Sequence, residues 1–211
     1  AEPLQDCSLQ WYGVLAPGEL PLRKISCQVL ECALLGGDVW RVRLLAPAGK
    51  LPRYHAGQYL LIEVADGEQV ALSLASAPHQ GRELELHILA SEERAVALVA
   101  QLQCDRLARV QLPFGDTHLA QLPDGPLLLI AAGTGMAQMH SLIEHCLEQG
   151  FVYPIHLYWG VRQAEDFYRV SPWADWQQMH NLHLHQVVSE PEQWSGRTGV
   201  LHQAVREDFA D

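Results

Sequence analysis

Positive charge is scarce in this 211-residue chain: 14 lysine and arginine side chains stand against 25 acidic ones, a formal net charge of −11. That balance argues against a nucleic-acid backbone or an anionic membrane as the main partner. Long apolar runs are missing as well. None exceeds six residues, the length of Leu127 to Ala132, against the roughly 18–20 that a membrane span needs. Residues Ala1 to Asp6 carry two acids and no base, so no secretory signal is read there. Cysteine pairing is absent from the pattern: Cys7, Cys27, Cys32, Cys104 and Cys146 include no C-x-x-C spacing. They read as reduced, mostly buried thiols of a cytoplasmic protein. Low-complexity tracts are absent too, and an apolar content of 48% suits a folded globular chain rather than a disordered one.

Familiar catalytic motifs are also missing. There is no G-x-S-x-G elbow, no Walker lysine, no H-E-x-x-H and no EF-hand loop. Among the 11 histidines, His180, His183 and His185 lie closest together. His183 and His185 share one strand face, but no neighbouring Cys, Asp or Glu completes a ligand set, so a polar strand face is the reading. Without a nucleophile, a metal or an acid–base pair, chemistry has to reside in a bound cofactor.

What is present divides into three stretches. Residues 1–24 hold Pro3, Gly13, Pro17, Gly18 and Pro21 without sustained periodicity and read as an extension or linker. From Ile25 short β-rich segments follow one another: Ile25–Leu30, Val39–Leu45, Tyr59–Val64, Val70–Ala75, Glu83–Leu89 and Arg109–Leu112, the last ended by Pro113. In Glu83–Leu89 the apolar Leu84, Leu86 and Ile88 alternate with Glu83, Glu85 and His87, the period of a half-buried strand. Such spacing predicts a small antiparallel barrel or sandwich over 25–118. One helix interrupts it, with Ala95, Leu98, Val99 and Leu102 on one face and Ser91 with Glu92-Glu93 at its start. A loop through Pro123, Gly125 and Pro126 marks a boundary.

Over 126–211 the pattern becomes strand, helix, strand, helix, strand, the order of a parallel α/β sheet. Leu127–Ala132 reads as a strand buried on both faces, Met136–Gln149 as a helix ended by Gly150, and Ile155–Trp159 and Leu182–Val188 as further strands. A helical segment is expected over Glu165 to Met179, with a break near Ser171-Pro172, and another from Val200 to Arg206. Three patterned strands are fewer than the five or six of a doubly wound fold, so this unit reads as incomplete at its C-terminus.

The strongest single feature is the buried strand running into Gly133-Thr134-Gly135-Met136, with a helix immediately after. Glycine lets the backbone turn sharply and approach a ligand, and a helix start favours phosphate. The standard G-x-G-x-x-G fingerprint is not met, because Gln138 stands where the third glycine belongs. The ribose-binding acid expected about 20 residues on is missing too, with Tyr158-Trp159-Gly160-Val161-Arg162 there instead. Arg162 meets a phosphate or a ribose edge, or is simply solvated.

In this order the motifs resemble the ferredoxin–NADP reductase superfamily, and within it bacterial NAD(P)H:flavin reductases and the reductase components of oxygenases. The likeness runs from Ile25 to about Arg206. It rests on His55-Ala56-Gly57-Gln58-Tyr59-Leu60, on Ala71-Leu72-Ser73-Leu74-Ala75-Ser76-Ala77-Pro78 against the flavin-binding R-x-[YF]-S-x-A-S segment, on Leu84–Ile88 and on Pro113-Phe114-Gly115. The Gly-Thr-Gly turn, Tyr158–Arg162 and Trp194–Gly199 complete it.

The resemblance implies a Greek-key flavin-binding barrel over 25–118 followed by a truncated parallel α/β NAD(P)-binding unit over 126–211. It implies FAD or FMN, NADH or NADPH, hydride transfer from nicotinamide to flavin N5, and onward electron transfer to flavin, an iron–sulfur protein or an oxygenase. By position Ser73 is the hydroxyl near N5, and Leu72, Leu74 and Ala75 line the ring through backbone groups, with His87 and Ile88 on the next strand. The nucleotide falls to Gly133, Thr134, Gly135, Met136, Gly160 and Arg162, with Ser189 and Arg197 at its adenosine end. Val70 replaces the motif's arginine and Leu72 its aromatic residue. A lost charge-assisted phosphate contact costs about 1.5–3 kcal/mol of flavin affinity, so a loosely held flavin substrate is one implication. A non-catalytic nucleotide-binding or regulatory subunit is the alternative.

Overall fold

The computed structural model describes residues 20–65 and 67–209. Most of the expected 1–24 extension, with Cys7, lies outside the described residues. Alternation of apolar and polar side chains builds the first half. Strands β1 (Arg23–Gly36), β2 (Val39–Leu45), β3 (Tyr59–Glu63), β4 (Gln69–Ser73), β5 (Glu83–Leu89) and β6 (Leu107–Phe114) form one antiparallel sheet in the order β4-β3-β6-β1-β2-β5. A bridge between Leu74 and Leu86 joins its two ends and curls it into a Greek-key barrel. Inside lie Val29, Val42, Leu44, Leu60, Ile62, Leu84 and Leu86. The 14-residue β1 shifts register near Glu31 and again near Gly36, which bends it around the barrel. It turns into β2 through Gly36, Gly37 and Asp38, all with positive φ.

Helix α1 (Glu93–Asp105) drops Leu98, Val99 and Leu102 into the barrel core. It begins one residue later than a Ser91 cap requires, with Glu92 in the capping position and no side-chain cap. Pro113 does not end β6, which runs on to Phe114. His87, expected on a polar face, is buried.

The second half is a parallel sheet of β7 (Leu127–Ala132), β8 (Ile155–Val161), β9 (Leu182–Val188) and β10 (Arg197–Thr198), in the order β10-β9-β8-β7. Its register places Leu129, Leu157 and Leu184 in one row and Ile130, Tyr158 and His185 in the next. Helix α2 (Met136–Glu148) packs Met136, Leu142, Ile143 and Cys146 against the first face, together with Trp159. Gly150, in a left-handed conformation, follows its end. Helix α4 (Leu201–Asp208) covers Tyr158 and Val187 on the second face.

Three expectations fail here for physical reasons. Strand β7 is the edge of the described sheet, and Leu128 and Ile130 remain 43% and 45% exposed, so an unbroken apolar run does not mean two buried faces. The segment 165–179 is largely not helical. A single 3-10 turn, Ala164–Asp166, and the four-residue α3 (Trp173–Trp176) flank an extended strap whose backbone bonds to β1, Arg169 N–H donating to Leu35 O at 3.2 Å. The two-residue β10, too short to leave a period, is a fourth strand. Of the described cysteines, Cys27 and Cys146 are buried, Cys32 is half-buried and Cys104 exposed. His156, His183 and His185 form stacked rings with Tyr158 across β8 and β9. No group of three metal-ligating side chains forms among the described residues.

Candidate nucleotide cleft and flavin edge

A cleft of about 570 Å³ opens at the carboxyl ends of β7, β8 and β9, where parallel α/β sheets bind ligands. Ala132, Gly133 and Thr134 form its floor, Gly160, Val161, Arg162 and Ser189 its rim, and Gly199, Val200 and Leu201 a further side. The opposite wall comes from the barrel: Gly37, Asp38, Val39, Leu89 and Ser91. Thus the cleft lies between the two halves of the chain.

Gly133 has φ +50°, and a Cβ there or at Gly135 meets nothing within 4 Å. The left-handed φ favours glycine at Gly133, and the space a side chain would fill is open. The 3-10 turn Gly133–Gly135 runs directly into α2, and no side chain caps either. With no acid in the first turn of α2, the leading amides and the positive end of the helix dipole remain available to an anion. Trp159 holds the turn in place, its indole N–H donating to Gly133 O at 3.0 Å. These features fit a dinucleotide pyrophosphate.

Other candidates divide. Thr134, Gly160, Arg162 and Ser189 line the cleft. Arg162 is paired with Glu190 at 3.0 Å, and the Ser189 amide donates to Val161 O. Gly160 has a packing reason as well, because a Cβ there would stand 3.0 Å from Leu201. The Met136 side chain is in the core, which leaves only its backbone to the site. Arg197 is a correction. Its guanidinium binds Asp208, Glu207 and Ala204 O, and it does not line the cleft.

The second candidate surface is the edge of the barrel. Strand β4 pairs only with β3, so beyond the Leu74–Leu86 bridge its outer edge faces β5 without a ladder. Ser73 ends this strand half-buried, and its hydroxyl makes no hydrogen bond among the described residues. Those features fit a planar ring with polar edges. They do not fit a phosphate: Val70 and Leu72 pack against the barrel core, and the start of α1 presents Glu92 and Glu93. Leu74 and Ala75 are buried, and their amides already donate to Gln58 O and Glu85 O, at 3.1 and 2.8 Å. Backbone donation by these two to a ring is therefore taken up by the fold itself. Ile88 points into the barrel core, and the His87 ring is enclosed between the two halves.

Sequence reasoning missed the clasp that joins the surfaces. Along α2, Gln138 donates to Gly57 O at 2.8 Å and Thr117 O at 3.1 Å. His140 Nδ1–H donates to Ala75 O, and the Ser141 hydroxyl to Ser76 O, each at 2.7 Å. Tyr54 holds the Ser76 hydroxyl from the barrel side at 3.0 Å. Burial pushes the Tyr54 phenol up and the His140 imidazole down, so both remain neutral donors. The helix that begins at the glycine turn therefore also fixes the loop after Ser73. Only the departure of Gln138 from the expected glycine signalled any of this.

A parallel sheet with a glycine turn, facing an antiparallel barrel across one cleft, is the architecture of a nucleotide-dependent reductase. The Oxidoreductase NAD-binding domain family model matches residues 129–211. The NAD(P)H-flavin reductase of Vibrio harveyi is 37% identical over 195 residues, spanning 88% of this chain and 81% of that protein. Reductase component 1 of the Comamonas terephthalate 1,2-dioxygenase is 32% identical over 155 residues, 73% of this chain and 46% of that one. Among solved structures, the Amycolatopsis cytochrome P450 reductase GcoB has a TM-score of 0.75 at 27% identity, covering 90% of this chain and 59% of its own. The chain belongs to the NAD(P)H-flavin reductase family of the ferredoxin–NADP reductase superfamily and is an oxidoreductase. No helix among the described residues is long and apolar enough to cross a membrane.

Proposed function

We propose that residues 126–211 bind NAD(P)H, that residues 25–118 bind a flavin, and that the chain passes reducing equivalents from one to the other. The observation that carries this is the open Gly133–Gly135 turn in a cleft whose far wall is the flavin-side barrel. When bound, the nicotinamide would supply a hydride for the flavin at its N5, with Ser73 and the β4 edge holding the ring, and the onward acceptor would be free flavin, an iron–sulfur protein or an oxygenase.

The chain's own residues bind and orient. Gly133, Thr134 and Gly135 hold the pyrophosphate through their amides, and the Thr134 hydroxyl lies toward the nicotinamide. Ser189 and Arg162 flank the adenosine. The Ser73 hydroxyl donates to flavin N5, and the free edge of β4 recognises the ring. Because Val70 and Leu72 supply neither charge nor stacking, the flavin is a loosely held substrate recognised by its ring. A reductase component of an oxygenase is among the relatives, which supports an oxygenase or iron–sulfur acceptor as one destination.

Charge favours NADH over NADPH. Arg162 is the only cation lining the cleft among the described residues; it is paired with Glu190, while Asp38 and Asp166 line the same space. An added 2′-phosphate meets carboxylates without a free cation to neutralise it. Steady-state oxidation of NADH and NADPH with riboflavin as acceptor tests the reading. Turnover with NADH, and a lower kcat/KM with NADPH, are expected. No turnover with either nucleotide at tens of micromolar flavin would sink the proposal.

A further inference from the structure

Between the barrel and the parallel sheet runs a hydrogen-bonded row of which only Tyr168 reaches the candidate nucleotide cleft. Glu85 and His87 stand on β5, and Tyr168 on the strap after β8. The phenol oxygen of Tyr168 lies 3.0 Å from His87 Nδ1, and His87 Nε2 lies 3.0 Å from Glu85 Oε1. A carboxylate only accepts, so Nε2 carries the hydrogen, and in the neutral ring Nδ1 accepts from the Tyr168 hydroxyl. Burial drives the Tyr168 phenol far above its ordinary range, with the Glu85 charge adding to it, so the phenol keeps its proton. Burial opposes ionisation of Glu85, but the hydrogen bond from His87, with the positive charge of Arg41 adding to it, outweighs burial and lowers the carboxyl.

Tyr168 occupies a decisive place. It lines the nucleotide cleft on one side and, on the other, a hollow of about 660 Å³ walled by Trp159, Phe167, Trp173 and Gln186. Tyr168 thus borders both spaces, its ring centroid 5.1 Å from that of Trp159 and 5.3 Å from that of His87. The strap that carries it is tied to β1 by the Arg169 guanidinium on Leu34 O and Leu35 O, but the hydroxyl itself is anchored by His87.

We infer that Glu85, His87 and Tyr168 act as one positioning relay that holds the Tyr168 ring as the wall of the nucleotide cleft. The inference rests on the cleft binding NAD(P)H, as proposed above. Glu85 does not line the cleft, so any effect it has on nucleotide binding must travel through His87. Positioning, unlike general stability, predicts a selective change in nucleotide affinity.

The test compares wild type, Tyr168→Phe, Glu85→Gln and the double variant, reading KM for NADH, Kd for NAD+ by titration, and Kd for riboflavin. Tyr168→Phe removes one hydroxyl while keeping the ring against Trp159. It should raise KM and Kd for the nucleotide about three- to tenfold, the worth of one hydrogen bond, with riboflavin binding unchanged. Glu85→Gln should move the same constants in the same direction by a smaller factor. The double variant should be no worse than Tyr168→Phe, because residues acting through one another are non-additive. Nucleotide constants unchanged in both folded single variants, or effects that simply multiply, overturn the relay. A wild type that neither oxidises NADH nor binds NAD+ overturns the functional reading and the relay with it.

Discussion

The Gly133–Gly135 turn and the Leu72–Ala75 segment are both short stretches of backbone where a strand ends, yet they are held differently. At the glycine turn the backbone is fixed from behind by Trp159 and left open in front. At the Leu72–Ala75 segment, proposed for the flavin, the amides of Leu74 and Ala75 and the carbonyl of Ala75 are all engaged by the surrounding protein. One surface offers backbone donors to a ligand; the other offers mainly a hydroxyl and a strand edge. The contrast teaches that a phosphate site is an unspent helix start, whereas a site for a neutral ring needs a rigid frame first and few free donors.

The sharpest way to break that contrast is to close the open side. Gly133→Val places a branched side chain at φ +50°, which costs at least about 1–2 kcal/mol and fills the ligand space. KM for NADH should rise about 30-fold or more, with riboflavin affinity unaltered; equal losses for both ligands contradict two separate surfaces. Val70→Arg works on the other side by restoring a cation. It should tighten FMN about tenfold or more relative to riboflavin, read by fluorescence titration; equal gains for the two flavins contradict a missing phosphate partner.

Smaller effects test the clasp. Ser141→Ala removes the shorter of two donors to the buried Ser76 carbonyl, leaving the Tyr54 hydroxyl at 3.2 Å, a loss of about 0.5–1.5 kcal/mol. A melting temperature lowered by several degrees, together with weaker riboflavin binding, is expected. An unchanged melting temperature in a thermal melt removes Ser141 from the account.

Acid should loosen the same seam. Burial holds His140 below the ordinary imidazole value of 6.5, against the Ala75 bond, so the unfolded chain takes up a proton first as pH falls. Its contribution to stability is complete above about pH 6.5 and declines below it. The lowered His118, His145, His156 and His185 act in the same direction. Glu85, lowered as well, adds its own loss only at more acid pH, below the ordinary carboxyl value of 4.5. Melting temperatures should therefore fall as pH drops from about 7 to 5, and His140→Leu should flatten that slope while lowering stability throughout.

The barrel strands were legible because their alternation is local, and so was the glycine turn between strand and helix. In helix α2 the apolar face of Met139, Leu142, Ile143 and Cys146 recurs at helical spacing and is legible from the sequence. Its polar stripe of Gln138, His140 and Ser141 finds partners 21 to 81 positions away, and such contacts leave no period. For the same reason the strap around Tyr168 looked helical, although its backbone is bonded to β1. Arg197 looked like a free cation because Asp208, its partner, is a full helix away. Leu128 and Ile130 show the converse error, since composition records an apolar run but not which neighbours cover it.

The most direct measurement of the central claim is flavin reduction by NADH with riboflavin, FMN and FAD compared in one assay. A ring held by Ser73 and the β4 edge, without a phosphate anchor, predicts kcat/KM values within about threefold of one another and protein that loses flavin on gel filtration. A strong preference for FAD, with flavin retained through the column, would contradict it.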